Sequence, residues 1–340
     1  MRTVFLGTSD FAAAVLERLA ASDHRPVLAL TRPDRPRGRG RRLAAPPVAQ
    51  AARALGIALE QPERINDPAV GALIDAAVRD AAAVDKGVAV SRVADVSTRD
   101  FVAREEALLV VCAFGALIKE RLLSRYELLN VHPSLLPRWR GAAPVERAIM
   151  AGDAQTGVSI MRLTEGLDSG PVCAAEQESI GSDDTYGSLA ERLRRLGGEL
   201  LVGVLSEWER GRPPHFEEQP EEGVTYAEKI AAEDRLLDPE RTAVELERQV
   251  RALHPHVGAR LAREDGTLLG VSRAAPAEGG LVDAALAEDG SGRLPPGRLA
   301  ASDGHLLYGA SDGMLELLEV QPPGRRPMHA EAYLRGHALS

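Results

Sequence analysis

Asn130 and His132 stand two residues apart in the stretch Asn130-Val131-His132-Pro133-Ser134-Leu135-Leu136-Pro137-Arg138-Trp139-Arg140-Gly141. On a strand, that spacing puts both side chains on one face. Pro133 has no backbone N–H and ends the ladder, so the pair falls at the carboxyl end of the strand. In open α/β sheets that edge is where ligands bind. An imidazole takes or gives a proton near neutral pH, and an asparagine amide can hydrogen-bond an oxygen that becomes negative in a transition state. The same two residues could equally serve as a strand end satisfied by loop backbone.

A carboxylate stands further on, in Gly166-Leu167-Asp168-Ser169-Gly170-Pro171. Asp168 could close a tight Asx turn, or it could orient His132 and favour its charged form; distance in sequence does not decide whether the two meet. The third feature is electrostatic. Six arginines fall in the eleven residues 32–42, interleaved with Gly and Pro. Such a flexible basic loop suits phosphate contacts, although only three of the chain's 41 basic residues are lysine, so arginine clusters are less surprising here.

The elements around these features alternate. Residues 3–6 and 27–30 read as short buried strands. Asp10 is a plausible N-cap for a helix with Phe11, Val15 and Leu19 on one face. A second helix starts near Pro46 or Pro47 and stops at Gly56. Residues 107–113 are continuously apolar, as a strand buried on both faces should be. Residues 128–132 form the strand that carries the Asn-His pair. Residues 144–150 read as a helix closed by Gly152, residues 156–163 are β-rich, and Asp184 could cap a long helix reaching about Glu209. Strand-helix alternation of this kind predicts a mostly parallel, Rossmann-like sheet with helices on both faces.

After about Gly211 the character changes. Gly211-Arg212-Pro213-Pro214 and Gln219-Pro220-Glu221-Glu222-Gly223 read as a linker. Beyond it lies one helix, near residues 243–253, and then strand-like pieces separated by Asp-Gly pairs at 265–266, 289–290, 303–304 and 312–313. That pattern predicts a small β-barrel or sandwich. A chain of 340 residues accommodates two such domains.

Several classes drop out. With 41 basic against 50 acidic residues, the net charge of −9 excludes a uniformly basic nucleic-acid coat. Cys112 and Cys173 are too few for a disulfide framework or a cysteine-only zinc site. There is no long apolar run for a membrane span and no recognisable signal peptide, so a cytoplasmic enzyme is expected. Gly7-Thr8-Ser9-Asp10 is not the dinucleotide fingerprint, and no Walker, H-E-x-x-H or G-x-S-x-G motif occurs.

Taken together, Asn-x-His-Pro-Ser-Leu-Leu-Pro-x-x-Arg-Gly and the later Leu-Asp-Ser-Gly-Pro resemble the folate-dependent formyltransferase family. Gly141-Ala142-Ala143-Pro144-Val145, the Gly38-Arg39-Gly40-Arg41-Arg42 loop and Thr225-Tyr226-Ala227-Glu228-Lys229-Ile230 are similar to the branch acting on methionyl-tRNA. The resemblance implies formyl transfer from 10-formyltetrahydrofolate, without a metal, to the α-amino group of methionyl initiator tRNA. It carries catalysis onto Asn130, His132 and Asp168, with Asp168 holding His132 charged. It places Ser134, Leu135, Leu136 and Pro137 against the folate, and Arg39, Arg41 and Arg42 against the tRNA. It also implies a catalytic domain over 1–207, a linker over 208–224 and an OB-like, tRNA-binding β-barrel over 225–340, with no membrane and no protein partner required. A small acceptor such as an amino sugar is the alternative substrate class. One departure stands out: about 25 residues, roughly 79–106, interrupt the family's usual course before the apolar strand, and are expected to form a surface insertion. The C-terminal portion from residue 212 is acidic, with 14 basic against 22 acidic side chains.

Overall fold

Every residue of the apolar run Ala107–Cys112 is buried, as the middle strand of a sheet covered on both faces requires. The computed structural model describes residues 1–37, 42–85, 107–277 and 294–337. In chain order the first part runs β1 (Arg2–Gly7), α1 (Asp10–Ala20), β2 (Leu28–Leu30), β3 (Arg35–Arg37), β4 (Arg42–Ala44), α2 (Pro47–Leu55), β5 (Ala58–Glu60) and α3 (Pro68–Asp85). It continues with β6 (Ala107–Cys112), α4 (Glu120–Leu123), β7 (Glu127–His132), β8 (Arg140–Gly141) and α5 (Pro144–Ala151). Then come β9 (Gln155–Arg162), β10 (Val172–Ser179), α6 (Tyr186–Glu209) and β11 (Tyr226–Ala227).

Seven strands form one sheet in the order β10-β9-β7-β6-β1-β2-β5. From β7 to β5 the neighbours are parallel, and β9 runs antiparallel to β7. After β1 the chain steps outward to β2 and β5 and then returns to β6 on the other side of β1. The reversal opens a crevice at the carboxyl ends of β1 and β6, the usual ligand position in such sheets. On one face, Val70, Ile74 and Val78 of α3 recur every fourth residue and pack with Val4, Leu6, Leu109 and Leu128 of the strands. Burying each such side chain contributes about 1.5–3 kcal/mol relative to exposure. Gly56 stops α2 in a left-handed conformation, φ +66°, that a side chain would disfavour.

Two caps differ from the sequence reading by one residue. Ser9, not Asp10, accepts from the Ala12 N–H, so Asp10 becomes the first helical residue and faces the helix dipole. At α6, Thr185 Oγ1 accepts from the Ser188 N–H, and Asp184 bonds the Ser188 hydroxyl instead. The flanks of the arginine-rich loop are paired: β3 and β4 form an antiparallel ladder, Arg35 opposite Ala44 and Arg37 opposite Arg42. Of the inserted stretch 79–106, residues through Asp85 continue α3, and the remainder lies outside the described residues.

The chain divides into two compact units: residues 1–142, 156–178 and 191–227, and residues 143–155, 179–190 and 228–340. The second contains a single 3-10 turn (Glu233–Arg235), α7 (Ala243–Leu253), β12 (Ala259–Ala262), β13 (Leu268–Pro276), β14 (Leu299–Ser302), β15 (His305–Gly309), β16 (Met314–Gln321), β17 (Met328–His329) and α8 (Ala330–Leu334). The strands make an antiparallel sheet in the order β12-β13-β16-β15-β14, with β17 added to β16. Leu246, Val250 and Leu253 of α7 pack on Leu269, Val271, Leu315 and Leu317. A reciprocal Thr242–Glu245 capping box fixes where α7 begins. The Asp303-Gly304 pair turns β14 into β15 with both residues at positive φ, as a tight hairpin demands. The pair at 289–290 lies outside the described residues. Among the described residues no helix is long and apolar enough to cross a membrane.

Candidate active site

The first unit brings the three residues with candidate chemistry to one point. Asn130 and His132 end β7, where Asn130 lies opposite Met161 and His132 opposite Ser159 of β9. Because β9 runs back against β7, Arg162 lies opposite Leu129, and the loop after it folds back to bring Asp168 beside Asn130 and His132. Its base is closed by the Arg162 N–H donating to the Pro171 carbonyl at 2.9 Å. Asp168 sits in this loop at φ +44°.

Asp168 is surrounded by donors. Asn130 Nδ2 donates to its Oδ1 at 3.3 Å, and the Gly141 N–H donates to its Oδ2 at 2.9 Å. His132 Nδ1 lies 3.6 Å from the same Oδ2. The other ring nitrogen, Nε2, is 2.9 Å from the Trp139 carbonyl oxygen, which can only accept, so Nε2 carries a proton. Asn130 and His132 are 7% and 4% exposed, which keeps bulk water from screening the cluster. The arrangement offers a polarised imidazole, an amide with one N–H uncommitted, and a carboxylate within reach of both.

The four residues expected against a folate form a braced turn in the same unit. Ser134 is fully buried; its hydroxyl donates to the Arg138 carbonyl at 2.6 Å, and its own carbonyl accepts from Ser159 Oγ at 2.8 Å. The Leu136 N–H donates to Ser159 Oγ at 3.2 Å, and the Leu136–Pro137 peptide is cis. Ser134 thus shapes the turn, while Leu135, Leu136 and Pro137 are half-buried. Of the three arginines expected against tRNA, Arg42 is exposed in β4, and Arg39 and Arg41 lie outside the described residues.

A cavity of about 490 Å³ opens at the carboxyl ends of β1, β2 and β6, at the point where strand order reverses. Thr8, Ser9, Arg32, Arg35 and Phe114 are among the residues that line it. It runs along the same sheet edge as the strand that ends in Asn130 and His132.

The sequence reading assigned no role to several groups that build this site. Trp139, at φ +64°, turns its carbonyl to His132. Gly141 supplies its N–H to Asp168. The Thr225 hydroxyl accepts from the Trp139 N–H at 2.9 Å, and its carbonyl accepts from the Arg140 N–H at 2.9 Å. Gln219 touches both Arg140 and the Asp168 loop. The stretch 208–224 is therefore not a free linker throughout: Glu217 exchanges both backbone hydrogen bonds with Val172, at 2.8 and 2.9 Å, and ties it to β10. Arg140 and Gly141 stood within the quoted motif; Gln219 carried no sequence signal beyond turn-like composition.

The formyl transferase family profile matches residues 1–205, and that of the formyl transferase C-terminal domain matches residues 229–338. The chain is 41% identical to a methionyl-tRNA formyltransferase of Halorhodospira halophila, over 99% of this chain and 97% of that protein. It is 39% identical to one from Methylococcus capsulatus, over 100% and 98%. Among solved structures, an N-formyltransferase of Helicobacter canadensis, in complex with folinic acid and dTDP-3-aminofucose, shares the fold with a TM-score of 0.60 at 12% identity, covering 93% and 98% of the two chains. HypX of Aquifex aeolicus, in complex with tetrahydrofolic acid, superposes with a TM-score of 0.56 at 16% identity, over 98% of this chain and 47% of that one. The chain belongs to the methionyl-tRNA formyltransferase family of formyl transferases.

Proposed function

We propose that the chain transfers the formyl group of 10-formyltetrahydrofolate to the α-amino group of methionyl initiator tRNA, giving N-formylmethionyl-tRNA for translation initiation in the cytoplasm. The observation that carries this reading is the meeting of Asn130, His132 and Asp168 at the ligand-binding edge of the sheet, in a chain 41% identical along its length to a methionyl-tRNA formyltransferase.

The donor set fits a formyl-bearing co-substrate. Asn130 has one N–H left after bonding Asp168, and His132 Nδ1 faces the same space. Both would donate to the formyl oxygen, His132 as its imidazolium, as the amine adds to the formyl carbon and charge builds there. Each such donor is worth about 3–4 kcal/mol in comparable sites. Asp168 would take the proton released by the amine, directly or through a water, and oppose the charge on His132; collapse of the adduct would then break the bond from the formyl carbon to the folate nitrogen, which leaves carrying that proton. No covalent intermediate is required; burial pushes the Cys173 thiol up to about 11. Leu135, Leu136 and Pro137 would supply apolar surface to the folate, and Ser134 would hold their turn.

Arg39 and Arg41, between β3 and β4 in sequence, and Arg42, the first residue of β4, would contact the phosphates of the acceptor end. In this reading residues 1–207 are the catalytic domain and residues 225–340 add a second tRNA surface, with 208–224 joining them. Incubation with 10-formyltetrahydrofolate and either charged initiator tRNA or small amines tests the proposal. Formylmethionyl-tRNA is the expected product. Transfer to an amino sugar or glycinamide nucleotide with none to tRNA would overturn it.

A further inference from the structure

Asp168 holds a left-handed backbone conformation that a non-glycine residue keeps only when its surroundings fix it. Two braces do so in the first unit. The Gly141 N–H holds the side chain. The second brace is Gln219, whose Nε2 donates to the Asp168 carbonyl at 2.9 Å and to the Gly170 carbonyl at 2.7 Å. Its Oε1 accepts from Arg140 Nε at 2.9 Å and Arg140 Nη2 at 2.8 Å. All the hydrogen-bonding capacity of that amide is used, and reversing it would set an NH2 against a guanidinium and an oxygen against two carbonyls.

Arg140 is the residue before Gly141, so the clamp closes a circuit. The peptide that bonds the Asp168 side chain and the guanidinium that holds Gln219 belong to adjacent residues, and Gln219 grips the Asp168 backbone from the other side. Glu217, two residues earlier, anchors this segment to Val172 just past the loop. We infer that Gln219 is a positioning residue for the transfer reaction, holding the Asp168 loop so that the carboxylate faces His132 and Asn130. The inference rests on the catalytic reading of Asp168 given above.

Two variants separate positioning from bulk folding. Gln219→Met keeps the length of the side chain and removes all four bonds. Gln219→Glu keeps an acceptor for Arg140 and loses both donors to the loop. Each is measured for kcat, for KM toward methionyl-tRNA, for melting temperature, and for hydrogen exchange at the Gly141 amide. Both variants are expected to lose about tenfold or more in kcat with KM little changed, to melt near the wild type, and to exchange the Gly141 amide about tenfold faster. Normal kcat with unchanged Gly141 protection overturns the inference. So does a large fall in melting temperature in both variants, which would make Gln219 a folding residue. If the wild type formylates no acceptor, the functional reading has failed, and Gly141 exchange alone decides whether Gln219 holds the loop.

Discussion

Replacing Asp168 by Asn changes one atom and the charge, and the structure says what should follow. The carboxylate accepts from the Gly141 N–H at 2.9 Å through Oδ2 and from Asn130 Nδ2 at 3.3 Å through Oδ1, and it faces His132 Nδ1 at 3.6 Å. An asparagine at 168 has the same outline but one acceptor oxygen. If that oxygen stays with Gly141, its NH2 meets the NH2 of Asn130, and Asn130 must either lose its partner or flip and present its oxygen to the substrate. One lost bond to a charged group costs about 1.5–3 kcal/mol, which is about tenfold to somewhat over a hundredfold in rate at 1.36 kcal/mol per decade. Losing the proton acceptor costs about 10²–10⁴ by itself. These effects overlap, so the expected loss is at least about a hundredfold in kcat. Single-turnover transfer at saturating co-substrate gives the number, with KM for methionyl-tRNA as the control. A kcat within about fivefold of wild type, in a protein that melts normally, would refute the role assigned to this carboxylate.

Two further outcomes follow from other parts of the molecule. Neutralising Arg39, Arg41 and Arg42 together should raise KM for tRNA far more than it lowers kcat, and should lower the slope of log affinity against log salt by about 2; an unchanged slope would place the phosphate contacts elsewhere. In the second unit, the two Arg147 nitrogens that bond Asp234, at 2.8 and 2.9 Å, hold its carboxyl below its ordinary range. A carboxyl lowered by folding adds stability above its unfolded pKa of about 3.9 and loses it as pH falls through the folded value. Asp234→Asn should therefore lower stability at pH 7 and flatten its decline in acid; parallel acid curves for variant and wild type would exclude the pair as a source.

How much of this was legible in the sequence depends on the kind of signal each residue carries. Asn130 and His132 could be placed on one face because strand periodicity is fixed at two and Pro133 marks where the strand stops. The bracketing glycines at 166 and 170 marked Asp168 as a loop residue, but not its destination. That depends on β9 running back along β7 with His132 opposite Ser159, a pairing that no local pattern encodes. The caps slipped by one residue at Ser9 and Thr185 because an acidic residue next to a cap and a true cap look alike in sequence. The flanks of the arginine loop pair through backbone, which arginine and proline composition does not reveal. Gln219 was the least visible. Its side chain bonds two backbone carbonyls about fifty residues away, and such partners have no sequence identity to read.

In the proposed mechanism His132, held between the Trp139 carbonyl and Asp168, stabilises charge during formyl transfer to methionyl-tRNA. Turnover of His132→Ala on charged initiator tRNA, measured beside its melting temperature, tests this most directly. The expected kcat is at least about a hundredfold below wild type in a protein that remains folded. Near-normal turnover by a folded His132→Ala protein would contradict it.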